Sequence, residues 1–393
     1  MRILVDMTSV VGGGGYEQST AFLEGLRSIG ASRGIEIVCA VRAGGQLTEF
    51  AAAAGLRCIE VKPSLVGRAI FSLFSAAQII RRERFDAVYV AFGIGLATPR
   101  SCPQIINVAY PIICYPDSPY WSHLPSVRRL RTRIKSLVRA LLIRRRATVI
   151  IAENEVMRDR LIAHAGLNAD RVRIVPPIIG GVARALREMA RTQQTARSDR
   201  RALRILLVTG ADPHKNLWRL PAAVDRLHAK GIKSVTFAVT ITEEVFRLSC
   251  LEGGMVEEAN EFRREYFEFL GPTFGDALAR QLLECDVIAN VSDLESISNN
   301  FIEAAAGGKP MLVANRDFAL SCVRTPYVVC EPHDASSLAA AIFQCLDGPY
   351  TPPLRSEALA IEAADRAHRV LAILEDAAHR RSDERSQGRL SAA

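Results

Sequence analysis

The chain has 393 residues, a formal net charge of +8, nine cysteines, 49% hydrophobic and 23% charged residues. That length exceeds what a single core organises and suits two domains of ordinary size, and the composition is that of a globular chain. No apolar run reaches the roughly 18 residues that a membrane-spanning helix needs, and the scattered cysteines form no C-x-x-C pair, which sets aside a disulfide framework and a zinc site.

In chain order, the N-terminus Met1 to Asp6 reads as a strand, because Asp6 interrupts any signal-peptide core. The chain is therefore expected to be cytoplasmic. Gly12-Gly13-Gly14-Gly15 follows, then a helical stretch over 17–29 with Phe22, Leu23 and Leu26 on one face and Gly30 as its stop. Gly13, Gly14 and Gly15 form a candidate phosphate or acceptor loop, since glycines allow close backbone approach and a helix start offers free amides. The alternative is a flexible strand-to-helix turn with no ligand. The dinucleotide fingerprint is absent: Glu17 and Gln18 stand where its third glycine would be, and the second strand ends in Val41-Arg42 without an acid.

Further β-rich apolar runs at 35–41, 57–61, 87–92, 104–110, 148–153 and 172–176 alternate with helical patterns, the rhythm of a parallel sheet covered by helices. Residues 110–121 form an aromatic, proline-rich loop, suited either to stacking on acceptor sugars or to ordered packing. No acid occurs between Asp117 and Glu153, while nine basic residues crowd 128–146. Over 127–142, Val127, Leu130, Ile134, Leu137, Val138 and Leu141 recur at helical spacing on one face, with Arg128, Arg129, Arg131, Lys135 and Arg139 on the other side. Two readings stand: a helix resting on an anionic membrane through residues 127–146, or a domain helix with its apolar side in the core and its basic side in water. No nucleic-acid motif accompanies the charge, so no nucleic-acid partner is expected.

Residues 1–186 are thus read as an N-terminal Rossmann-like domain, and 187–202, where the apolar rhythm lapses, as a linker. Strand runs at 203–209, 234–241, 267–270, 287–291, 310–314 and 327–331 make a second such domain over 203–350. Residues 351–380 are read as a C-terminal helical segment and 381–393 as a disordered polar tail. The fold class is α/β, with two Rossmann-like domains expected to face each other across a cleft at the carboxyl ends of their strands.

Two segments of the second half carry chemistry. Val208-Thr209-Gly210-Ala211-Asp212-Pro213-His214-Lys215-Asn216 follows the first strand there and places a lysine at a strand-to-helix junction, where it can meet a phosphate as a point charge. Ser292-Asp293-Leu294-Glu295-Ser296-Ile297-Ser298-Asn299-Asn300-Phe301-Ile302-Glu303 then predicts a loop carrying Glu295 and a short capped helix carrying Glu303, ended by Gly307-Gly308. Carboxylates suit sugar and ribose hydroxyls, because each accepts two or more hydrogen bonds. Taken singly, each of these side chains also reads as an ordinary surface group.

These segments resemble the retaining glycosyltransferases of the GT-B fold, glycosyltransferase family 4. Glu295, seven residues, Glu303 and then Ala304-Ala305-Ala306-Gly307-Gly308-Lys309-Pro310 has the form of that family's motif, and Pro213-His214-Lys215-Asn216 and Phe269-Leu270-Gly271 match in kind and order. The resemblance is strong over 203–345 and weaker over 1–185. It implies that Lys215 binds a donor diphosphate, Glu295 the transferred sugar and Glu303 the ribose, with the backbone of Ile297, Ser298, Asn299 and Asn300 holding sugar and phosphate; Glu295 and Lys215 would be the catalytic pair. Gly210 stands where the family often has an arginine, Ser298 and Asn300 replace its glycine and proline, and Ala109-Tyr110 stand near the place of its first-domain histidine.

The activity implied is transfer of a hexose from a nucleotide diphospho-sugar to a glycan or lipid-linked acceptor, with retention, in cell-surface polysaccharide or glycolipid synthesis. No metal and no cofactor are expected, and the enzyme would sit in the cytoplasm or on the inner face of the cytoplasmic membrane. The rival readings are a sugar-nucleotide epimerase on the same fold and a catalytically silent sugar-nucleotide-binding or membrane-associated assembly protein.

Overall fold

The computed structural model describes residues 1–192 and 202–390. They form two units, each a parallel sheet with helices around it. The first comprises Met1–Tyr115, Leu130–Ile179 and the chain from Ala360 on; the second comprises Pro116–Arg129 and Gly180–Leu359.

The first sheet contains β1 (Arg2–Asp6), β2 (Glu36–Arg42), β3 (Arg57–Val61), β4 (Ala87–Ala91), β5 (Gln104–Asn107), β6 (Val149–Ala152) and β7 (Val172–Ile174). Their spatial order is β3-β2-β1-β4-β5-β6-β7, with all pairs parallel. The inner strands are buried along nearly their whole length. Ile3, Val5, Ile37, Cys39, Tyr89 and Ile105 therefore form a core with helix residues from one side of the sheet. The second sheet contains β8 (Leu203–Leu207), β9 (Val235–Val239), β10 (Phe267–Phe269), β11 (Val287–Asn290), β12 (Met311–Ala314) and β13 (Tyr327–Cys330), ordered β10-β9-β8-β11-β12-β13. Each of the thirteen strands falls on an apolar run marked in the sequence, because a strand covered on both faces must be apolar at successive positions. The cysteines are free thiols, all but the half-buried Cys58 enclosed in the structure.

Several local expectations are corrected. The first helix spans Gly13–Ser32, so Gly13, Gly14 and Gly15 are its opening turn, not a loop before it. Gly13 has φ +60°, a conformation that needs glycine. Gly30 does not stop this helix; it is buried where its hydrogen side faces Ile35 and Ile37. The linker expected over 187–202 begins as helix: Gly181–Thr192 buries Val182, Ala183 and Leu186 and packs on the helices Gly275–Glu284 and Asn299–Gly307. The rest of that stretch, 193–201, lies outside the described residues.

The C-terminal segment differs too. Residues 351–362 are not helical apart from isolated bridges, and one helix runs over Ala363–Leu390, through much of the expected tail. Its Ala367, Val370, Leu371, Leu374 and Ala377 join the first unit's core, and it packs on the Gly13–Ser32 helix. Arg366 donates to the carbonyls of Val175 and Pro176 and to Oδ1 of Asn107, 3.1 Å away. An apolar stripe has thus joined the end of the chain to the unit that contains its beginning.

The basic stretch is a single helix, Ser126–Arg146. Its apolar side is not in the core: Val127, Leu130, Ile134, Leu137, Val138 and Leu141 are exposed, and the face turned to the protein is made of Thr132, Ser136, Ala140 and buried Ile143. Ser136 donates to the Ile112 carbonyl, and the Arg139 guanidinium lies 4.6 Å from the centre of the Tyr110 ring. The domain-helix reading thus holds for Arg128, Arg131 and Lys135, which are exposed, and fails for the apolar side, which is not in the core. Among the described residues, no helix is long and apolar enough to cross a membrane.

Candidate active site

The carboxyl ends of β8 and β11 lie side by side where the order of the second sheet reverses, the place where open α/β sheets bind ligands. The chain leaving β8 makes a 3-10 turn, Pro213–Lys215, followed by a second, Leu217–Arg219. Asn216 closes the first at φ 56°, in the left-handed region that asparagine tolerates better than most residues. The buried Asn216 side chain donates to the Val291 carbonyl at 2.9 Å, and the Asp293 amide donates to the His214 carbonyl at 2.8 Å. The loop after β8 is thereby fixed to the loop after β11.

This fixing brings Lys215 and Glu295 together: the Lys215 ammonium donates to Oε1 of Glu295. Burial works against a charged Glu295, but the adjacent ammonium outweighs it, with His214 and a Ser292 hydrogen bond adding to the effect, and the carboxyl is held below its usual range. His214 beside them has its pKa lowered, first by burial and then by Lys215, so the imidazole is neutral at neutral pH. One negative and one positive group are thus preformed at the switch point.

The helix Asn299–Gly307 starts just beyond. Ser298 caps it by accepting from the Asn300 amide, and Gly308 ends it at φ 61°. Asn300 is buried and donates through Nδ2 to the Val208 carbonyl at 3.1 Å, tying this helix start to the exit of β8 as well. Ile297, Ser298 and Asn299 are half-buried, and Glu303, one turn into the helix, is only 3% exposed. All seven donor-side positions of the sequence reading therefore belong to two adjoining loops and one short helix of the second unit. Gly210 is exposed, with nothing but the Asp212 carboxylate near where a side chain would begin.

A cluster that the sequence did not reveal adjoins this site. Asp293, with 1% of its side chain exposed, receives Nε2 of His333 at 2.7 Å and Arg316 at 3.0 Å, and Arg316 also pairs with Glu331 at 2.7 Å. Nδ1 of His333 is 2.6 Å from Nε2 of His123, and Arg219, stacked 3.9 Å over Trp218, reaches both imidazoles. Burial penalises the Asp293 charge, yet its bonds to His333 and Arg316 keep its pKa below the ordinary value. Asp293, Arg316 and the pair Glu331 and His333 follow three different strands, Trp218 and Arg219 lie in the Leu217–Arg219 turn, and His123 comes from the 116–129 segment. The one sequence signal, a position just after a strand, is shared by Asp293, Arg316, Glu331 and His333.

In the first unit, the exposed start of the Gly13–Ser32 helix stands beyond β1, at the switch point between β1 and β4. Behind it lies a small pocket bounded by Met7, Gln18, Tyr89, Asn107, Glu153 and Arg366. Tyr110, near the place of the expected histidine, donates its hydroxyl to the Phe92 carbonyl at 2.7 Å. In the aromatic loop, Tyr115 and Trp121 are buried at 4% exposure each, which selects the packing reading for those two rings.

The family described as Glycosyltransferase Family 4 matches residues 30–180. No curated protein sequence matches the chain. Among solved structures, Anabaena HepE in complex with UDP-glucose is similar with a TM-score of 0.60 and 16% identity, over 98% of this chain and 100% of that one. WaaG, a glycosyltransferase involved in lipopolysaccharide biosynthesis, gives 0.58 and 15% over 96% and 98%. A UDP-GlcNAc 2-epimerase from Methanocaldococcus jannaschii gives 0.54 and 12% over 95% and 100%. At such identities the likeness is one of fold. The chain has the two-domain fold of the GT-B glycosyltransferases, and its residues 30–180 are similar to the family described as Glycosyltransferase Family 4.

Proposed function

We propose that the protein transfers a hexose from a nucleotide diphospho-sugar to a glycan or lipid-linked acceptor, with the donor on the second unit. The observation that carries this reading is the Lys215–Glu295 pair at the β8/β11 switch point, with buried Glu303 one turn into the adjoining helix. The diphosphate would take Lys215 and the amides at the start of the Asn299–Gly307 helix as its positive partners, freeing the Glu295 carboxylate to accept from sugar hydroxyls. Glu303 would accept from the ribose. Charge builds on the leaving diphosphate as the glycosidic bond breaks, and a preformed cation there lowers the barrier without reorganisation. Retention, which the family resemblance implies, is part of the proposal, as are a cytoplasmic setting and metal independence. Gly13, Gly14 and Gly15 would offer the opening amides of the first helix to the acceptor or to a phosphate.

UDP-sugars are the first donors to test, since HepE was solved with UDP-glucose. The protein should melt at higher temperature in the presence of its donor, because a ligand selective for the folded state stabilises it. With an acceptor supplied, it should release UDP at a rate unchanged by EDTA. An altered sugar nucleotide formed from donor alone would identify an epimerase instead. Donor-induced stabilisation without turnover on any acceptor would identify a silent binding protein.

A further inference from the structure

The side chains of the Ser126–Arg146 helix sort into three bands at about 100° per residue. Thr132, Ser136, Ala140 and Ile143 face the protein. Leu130, Ile134, Leu137, Val138 and Leu141 lie together on the outer face, Leu137 with 70% of its surface exposed. Arg131 and Lys135 follow them on one side and Arg133 and Arg144 on the other, all four exposed. A helix that needed only solubility would turn its leucines inward and its arginines outward; here a polar and small-residue face is inward and the apolar stripe is presented to the outside.

A second exposed apolar group adjoins it in the same unit. In the helical run Leu65–Ile70, continued by the π-turn Phe71–Ser75, the side chains of Leu65, Val66, Ile70, Leu73 and Phe74 are exposed, Leu65 at 77% and Phe74 at 65%. The end of the basic helix is fastened to this turn: Arg146 donates to the Gly95 carbonyl at 2.6 Å and to the Ser72 hydroxyl at 3.2 Å, and Ser72 donates to the same Gly95 carbonyl at 3.0 Å. The chain between Asp117 and Glu153 contains no acid, so a partner for this surface must itself bring the negative charge. A second copy of the same surface would set like charges against each other.

We infer that the outer face of the Leu130–Arg146 stretch, extended by Leu73 and Phe74, is a docking surface for an anionic lipid bilayer. The apolar stripe enters the boundary between headgroups and acyl chains, while the bordering arginines and lysine stay at headgroup level and meet lipid phosphates. The inference concerns binding to a surface and is independent of the transferase reading, since neither Lys215 nor the glutamates take part.

The test is co-sedimentation of the full chain with vesicles of phosphatidylcholine, with and without phosphatidylglycerol. Binding should need the anionic lipid and should weaken steeply as salt is raised. The variants Leu130→Glu/Leu137→Glu and Leu73→Glu/Phe74→Glu should each lose binding by at least about tenfold, since each removes two side chains from the apolar boundary and adds two repelled charges. Leu354→Glu, an equally exposed leucine elsewhere at 70%, should bind as wild type, and unchanged melting temperatures should show that all the variants fold. Absence of wild-type binding at low salt would overturn the inference. So would equal loss in Leu354→Glu, or a wild-type dimer in sedimentation that the Leu130→Glu/Leu137→Glu variant abolishes together with vesicle binding.

Discussion

The chemistry of the candidate site rests on side chains whose local settings differ in how openly the sequence announces them. Glu295 and Glu303 were legible from their spacing and the glycine-ended helix between and after them, and both lie buried at the expected place. The direct pairing of Lys215 with Glu295 was not legible, because it depends on Asn216 and Asp293 fastening two loops that are 75 or more positions apart in sequence. Lys215 is the basic side chain bonded to Glu295, while Arg219 is engaged by His333 and Arg316 by Asp293 and Glu331. Lys215→Ala should therefore lower kcat/KM by roughly 10- to 150-fold, the equivalent of a charge-assisted hydrogen bond of about 1.5–3 kcal/mol. Glu295→Ala should nearly abolish transfer while the protein still folds, with a lower melting temperature because Lys215 is left without its carboxylate. Steady-state kinetics beside a melting curve separates the two outcomes, and wild-type turnover in Glu295→Ala would remove that residue from the site.

At the scale of elements, strands were easier to read than helix ends. A buried parallel strand writes itself as a short continuous apolar run, and each such run became a strand. Helix ends depend on what packs against them. Gly25 and Gly30 look alike in sequence, yet neither interrupts the first helix, because each lies where another segment comes close. A Cβ on Gly25 would stand 2.5 Å from the Ala363 carbonyl oxygen at the start of the C-terminal helix. Alanine in a helix interior gains about 0.5–1 kcal/mol over glycine, whereas overpacking a closed contact costs about 1–3 kcal/mol. The clash with backbone should win, so Gly25→Ala is expected to lower stability by about 1–2 kcal/mol in chemical denaturation; a stabilised variant would show that the two helices are not held at this distance. The Ser126–Arg146 helix teaches the complementary lesson. Its period announced an amphipathic helix, but periodicity carries no sign telling which side faces the protein, and Ser136 and Arg139 decided that through Ile112 and Tyr110.

At the scale of the whole molecule, acid stability should report the histidines whose pKa is lowered, His123 and His214. The pKa of His123 is lowered from 6.5 to about 4, by burial first and then by His333 and Arg219, against the opposing pull of Asp293. The folded state therefore holds fewer protons than the unfolded chain between these values. The stability contributed by neutral His123 is fully present above pH 6.5 and is lost as the pH falls toward about 4. His214 shifts in the same direction. Melting temperature should thus fall between pH 6.5 and 4.5, and His123→Phe should make that fall less steep, with His214 accounting for the remainder. An unchanged slope in His123→Phe would mean that its imidazole titrates normally in the folded protein.

The sequence alone determined the α/β class, the thirteen strands, the two-domain plan and the places of Glu295 in a loop and Glu303 in a short capped helix, because each is written in local apolar runs, spacings or caps. Tertiary structure decided which unit each segment joined. It placed Pro116–Arg129 with the second unit and the C-terminal helix with the first, made helix of residues 187–192, and gathered Asp293, Arg316, His333 and His123 from distant stretches. It also turned the leucines of the basic helix outward. The physical reason is common to all of these. A segment's pattern fixes what it can bury or bond, but the partner that it meets is chosen by packing between residues far apart in the chain.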